Sequence, residues 1–74
     1  LDKFRAETCC VVGNFYSSQG NRTRAITYFK RALRANPRYL SAYILLGHEF
    51  VELGNVPAAL EAYRSAVDVK PTYY

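Results

Sequence analysis

Histidine occurs once and cysteine twice in these 74 residues, at His48, Cys9 and Cys10. A zinc site of four protein ligands cannot be completed from that set. The four glycines are scattered, so no Gly-rich loop cradles a phosphate, and no Ser/His/Asp grouping is present. Glu49 and Glu52 stand one turn apart, but neighbouring carboxylates on a helix repel mildly rather than form an acid/base pair. No catalytic residue, no metal and no cofactor is therefore expected. No apolar run approaches the ~20 residues of a membrane span, so no membrane partner is expected either. Cys9 and Cys10 are adjacent, and neighbours on a helix point about 100° apart. An internal disulfide would be strained, which predicts two free thiols in a reducing compartment, cytosol or nucleus.

Acids are missing from residues 22–38, which carry Arg22, Arg24, Lys30, Arg31, Arg34 and Arg38. From residue 40 onward Glu49, Glu52, Glu61 and Asp68 outnumber Arg64 and Lys70, so the net charge of +4 is unevenly spread. A basic stretch can track phosphates. No aromatic or glycine alternates with these bases in the manner of an RNA-binding module, so nucleic acid is not the expected partner. A solvated helix face or a contact to an acidic neighbouring subunit remains.

What is present is a repeat. Cys9, Gly13, Tyr16, Ala25, Phe29, Ala32 and Pro37 return 34 residues on as Tyr43, Gly47, Phe50, Ala59, Tyr63, Ala66 and Pro71. Gly20-Asn21 likewise returns as Gly54-Asn55. A fixed offset with matched side-chain sizes marks a stacked array, and arrays of this kind mostly bind other proteins.

Each repeat reads as two helices. The first spans about residues 6–19, with Cys9, Val12, Gly13 and Tyr16 on one stripe. Gly20 ends it, and Asn21 caps a second helix over about 22–35 that buries Ala25, Ile26, Phe29, Ala32 and Leu33. Pro37 stands where that helix cannot continue. The second unit repeats the plan over about 40–53, with Tyr43, Leu46, Gly47 and Phe50, and about 56–69, with Ala59, Leu60, Tyr63, Ala66 and Val67. Pro57 sits in a first turn, where its missing N–H costs nothing, and Pro71 closes the unit. Gly13 and Gly47 each cost about 1 kcal/mol inside a helix, which predicts close approach of a partner helix at Ala25 and Ala59. With no strand signal and no long linker, the fold class is all-α, four antiparallel helices in two hairpins.

This pattern resembles the tetratricopeptide repeat, a helix-turn-helix unit of 34 residues with large-small-aromatic-Ala-aromatic-Ala-Pro spacing. The resemblance covers residues 6–73, divided into repeats 6–39 and 40–73. Cys9 departs from it, since the family usually places Trp or another bulky residue there. Residues 1–5 fall where the end of a preceding repeat would be and Tyr74 where a following one would start. The resemblance thus implies a fragment of a longer right-handed α-solenoid, with the outer side of the last hairpin exposed. The strings Ala6-Glu7-Thr8-Cys9-Cys10-Val11-Val12-Gly13-Asn14, Asn36-Pro37-Arg38-Tyr39-Leu40 and Leu46-Gly47-His48-Glu49-Phe50 go beyond the shared pattern. They resemble the tetratricopeptide subunits of the anaphase-promoting complex. That likeness implies a non-catalytic scaffold of a multisubunit ubiquitin ligase in cell-cycle control, located in nucleus and cytoplasm. Its implied partners are other repeat subunits of the complex and short activator peptides, with a homodimer formed through the full-length array. The alternative is a generic repeat adaptor or co-chaperone for another peptide.

Helix geometry nominates a peptide site. Glu7, Cys10, Asn14 and Ser17 form a stripe about 140° from the hairpin face on the first helix. Its copy is Ser41, Ile44, His48 and Val51, flanked by Ser18 and Glu52. The resemblance implies that this stripe lines the concave groove, with Arg38 and Tyr39 at its edge. An extended peptide needs this mixture of amide, hydroxyl, imidazole and carboxylate to satisfy its backbone while side chains are anchored. Asn14 is the leading contact. His48 reads first as an ordinary surface or packed histidine and second as a contact. Glu52 is either a partner for an arginine of the peptide or a plain solvated carboxylate. The basic clamp by which some family members hold acidic chaperone tails is poorly matched. It wants Lys at Cys10 and an amide at Leu45, and only Asn14 fits.

Overall fold

Two Gly-Asn pairs divide the chain. In a computed structural model, which describes residues 3–69, they separate helices α1 (Lys3–Ser18) from α2 (Arg22–Ala35) and α3 (Leu40–Glu52) from α4 (Val56–Val69). Gly20 and Gly54 adopt φ of 81° and 79°, a left-handed conformation that a side chain would resist. The amide of Asn21 donates to the Tyr16 carbonyl at 2.9 Å and that of Gly20 to Ser17 at 3.0 Å. Asn55 to Phe50 and Gly54 to Val51 repeat this closure, which satisfies carbonyls left over at a helix end. The Asn21 and Asn55 side chains then accept from the amides of Arg24 and Ala58, capping the next helix.

Helix bounds agree with the sequence reading except at the start. α1 begins at Lys3, so residues 3–5 continue the first helix rather than leading up to it. The expected closure at Pro71, and the placement of Leu1 and Tyr74 in flanking units, lie outside the described residues.

The hairpins close on aromatic rings. A Cβ added to Gly13 would lie 2.5 Å from the Phe29 ring, and one added to Gly47 would lie 2.6 Å from the Tyr63 ring. The close approach is therefore glycine to ring, not glycine to Ala25 or Ala59 as the spacing suggested. Helical side chains lean toward the N-terminus, so each ring covers the level of the alanine one turn before it. Phe29 is fully buried, worth about 1.5–3 kcal/mol in apolar burial, beside Ala25 and Ala32 at zero exposure.

α2 packs on α3, joining the hairpins in series. Ile26 and Leu33 of α2 are partly buried against the shared core, whereas their copies Leu60 and Val67 on α4 are 63% and 69% exposed. α3 covers that face of α2, and among the described residues nothing covers the same face of α4. Polar bonds lock the joint. Glu49, 5% exposed, accepts from Ser17 Oγ at 2.7 Å and from Arg22 Nη1 at 3.0 Å. Arg22 also reaches Glu52 at 3.8 Å. One guanidinium thus serves both carboxylates, replacing the simple Glu49–Glu52 repulsion expected from sequence.

Three outcomes follow from this packing. Gly13→Val forces the Phe29 ring out and should cost more than about 2 kcal/mol, lowering Tm by roughly 10 °C in thermal melts. Glu49→Ala strands Arg22 and Ser17 at the joint and should cost about 1–2 kcal/mol in urea titration, while Glu52→Ala changes little. Burial, with the Cys9 thiol beside it, raises the Cys10 thiol from 9.0 to about 11. The neutral thiol is thus favoured by folding, a contribution held below about pH 9 and lost as pH rises toward 11. Iodoacetamide near pH 8 should alkylate half-buried Cys9 well before Cys10, as peptide mapping would show.

Candidate groove on helices α1 and α3

α1 and α3 are tied near their C-terminal ends by the Ser17–Glu49 bond. Because each is a copy of the other, their exposure patterns separate packing positions from free ones. Glu7 and Ser41 are both exposed, as are Asn14 and His48, and Ser18 and Glu52. These three pairs face solvent in both hairpins.

Two other pairs behave differently. Cys10 is 5% exposed while its copy Ile44 is 38% exposed, and Ser17 is half-buried while Val51 is 50% exposed. In the first hairpin this position meets the second hairpin. The Cys10 thiol belongs to the common core, against which Tyr39 is partly buried, and Ser17 spends its hydroxyl on Glu49. Neither is presented to a ligand as the stripe implied. The stripe reading summed 3- and 4-residue steps into one face, but that face is wide enough for its edge to be covered by the adjacent helix.

The remaining predicted residues are distributed around this strip. Arg38 is exposed and donates through Nη2 to the Val69 carbonyl at 3.3 Å, joining the inter-hairpin turn to the last turn of α4. Tyr39 is half-buried, and desolvation, then the nearby Cys10 and Glu7, raise its phenol above the ordinary value. The His48 ring sits edge-on to Tyr63 at 5.9 Å, which fixes its plane while leaving the residue exposed. Ser18 bonds back to the Phe15 carbonyl at 2.7 Å, and Glu52 reaches only weakly toward Arg22.

The result is a strip of amide, imidazole, hydroxyls and two carboxylates, with Glu7 and Glu52 at diagonal corners. It can exchange hydrogen bonds with a peptide backbone and accept a cationic side chain. Among the described residues, no three His, Cys, Asp or Glu side chains converge for a metal. Glu49 and Arg22 were not picked out as joint residues by sequence reasoning. Only the opposite charges at positions 22 and 49 hinted at them.

Comparison with known proteins gives the same assignment. A tetratricopeptide repeat model matches residues 13–73. The chain is 56% identical over 57 residues to anaphase-promoting complex subunit 8 of Arabidopsis thaliana, covering 77% of this chain and 10% of that protein. It is 49% identical over 61 residues to anaphase-promoting complex subunit CDC23 of Saccharomyces cerevisiae, covering 82% and 10%. The cell division cycle protein 23 homolog of Caenorhabditis elegans is 45% identical over 63 residues, covering 85% and 9%. The chain spans about a tenth of the length of these relatives. With its paired hairpins, glycine-ring contacts and 34-residue period, the chain belongs to the tetratricopeptide repeat family.

Proposed function

We propose that this chain is part of a scaffold subunit of the anaphase-promoting complex. The observation that carries the reading is the 56% identity over 57 residues to a protein named as subunit 8 of that complex. The hairpin geometry agrees with a scaffold role, because a stack joined face to face offers surfaces rather than a reactive centre. In this reading the chemistry of ubiquitin transfer belongs to other subunits, and this protein stacks on related repeat subunits. Its full-length array forms a homodimer and works in nucleus and cytoplasm. The strip of Glu7, Asn14, Ser41, His48 and Glu52 receives a short basic segment of an activator protein. Asn14 pairs with the peptide backbone, His48 supplies a fixed edge, and Glu52 or Glu7 takes an arginine.

Affinity purification of the full-length parent protein, followed by mass spectrometry, tests the assignment. Other repeat subunits together with a cullin-like and a RING-type subunit are expected. Recovery of chaperones, or of a single unrelated protein, would leave the fold intact and overturn the scaffold assignment. The groove is tested separately with Asn14→Ala/His48→Ala against activator-derived peptides. Loss of two polar contacts should weaken Kd about tenfold while Tm stays unchanged. A fall in Tm with unchanged affinity would make these residues packing groups instead.

A further inference from the structure

A trough of about 330 Å³ opens between α2 and α4, with Lys30 of α2, Tyr43 and Phe50 of α3, and Glu61 of α4 in its walls. We infer that it receives a tyrosine ring from a partner protein, stacked on Phe50, with an arginine of the same segment paired to Glu61. The trough lies apart from the α1–α3 strip, and none of the strip residues lines it.

The first hairpin supplies the template, because it puts the same repeat positions to a different use. Tyr28 stacks on Tyr16, the copy of Phe50, at 5.5 Å and an interplanar angle of 17°. Arg24 lies over the Tyr16 ring at 5.5 Å and Arg31 over the Tyr28 ring at 5.0 Å. α2 thus covers the ring of α1 with a ring and two guanidinium groups of its own. The copies of Arg24, Tyr28 and Arg31 on α4 are Ala58, Ala62 and Ser65, and all three line the trough. Phe50 is half-buried and makes no ring contact among the described residues. The space that α2 fills from within is therefore open at α4, while the ring beneath it is kept.

The charges at the rim specify what fills it. Thr27 of α2 spends its hydroxyl on the Thr23 carbonyl at 3.1 Å, whereas its copy on α4 is Glu61, an exposed carboxylate beside the trough. Lys30 reaches the trough from α2 and offers a cation to a ring lying there, as Arg31 does to Tyr28. Neither Lys30 nor Glu61 joins an ion pair among the described residues. A ring with a guanidinium beside it meets all three groups: Phe50 by stacking, Lys30 by cation–π attraction and Glu61 by bidentate pairing. α2 carries that same pair as Tyr28 and Arg31, one helical turn apart. A purely aliphatic segment would use neither charge. The volume stands at the lower end of ligand clefts and admits one ring with part of a second side chain.

The test uses the full-length parent protein and the peptide acetyl-Tyr-Ala-Ala-Arg-amide, titrated by saturation-transfer NMR. Transfer to the tyrosine ring protons is expected, and the peptide with Ala in place of Tyr should bind about tenfold more weakly. Glu61→Thr, a change at an exposed position, should weaken binding about fivefold, but less than about twofold for the peptide with Gln in place of Arg. Ala62→Tyr/Ser65→Arg installs the residues that the same positions carry in α2, and should abolish binding with Tm retained. No transfer from the unaltered protein, binding kept by Ala62→Tyr/Ser65→Arg, or equal binding of the Tyr and Ala peptides would overturn the proposal. Loss of a parent dimer in that variant, read by light scattering, would assign the trough to a second copy of the chain and overturn it likewise.

Discussion

The contact between a glycine and an aromatic ring sets the dimensions of everything else here. Gly13 against Phe29 and Gly47 against Tyr63 bring the two helices of each hairpin to a separation that a Cβ would forbid. At that spacing Ala25, Ala32 and Ala59 are buried with almost no exposed surface. Larger residues would hold the helices apart, and smaller ones would leave voids. The hairpin is therefore a thin, rigid plate, and plates of equal thickness stack in series.

Stacking decides which residues are free to bind. A helix in this arrangement has three neighbours to satisfy: its hairpin partner, the preceding hairpin and the following one. On α3, Ala42, Leu46 and Glu49 are buried and Leu45 is partly buried. Of the matching residues of α1, Thr8, Val11 and Phe15 are exposed and Val12 is half-buried. What stays exposed on both helices is a narrow strip, and a narrow strip suits an extended chain more than a folded surface.

Much of this was legible in the sequence, because the repeat acts as its own alignment. The period located both turns, and Gly20, Asn21, Pro37 and Pro57 marked helix ends through backbone rules that depend on no distant contact. The strip residues Asn14 and His48 also followed from helical spacing. Cys10 and Ser17 did not, because the edge of a helical face is decided by the neighbouring hairpin, which periodicity does not describe. Gly13 was recognised as a close-approach position, but its partner was Phe29, since the lean of side chains along a helix shifts contacts by a turn. From spacing alone Glu49 is only a neighbour that repels Glu52, and the three-dimensional meeting of α1, α2 and α3 gives it Ser17 and Arg22 as partners.

The joint at Glu49 also fixes the order of hairpins along the array. At the far side of α3 and α4, the copies of Ser17 and Arg22 are Val51 and Val56, both exposed. A second copy of the α3–α4 hairpin stacked there would press its own Glu49 against two valines. A carboxylate buried without a partner costs several kcal/mol, enough to reject that arrangement. The two plates look interchangeable in outline, yet each edge carries a different key. Duplicating or exchanging hairpins therefore breaks the stack at its edges even when every hairpin is intact.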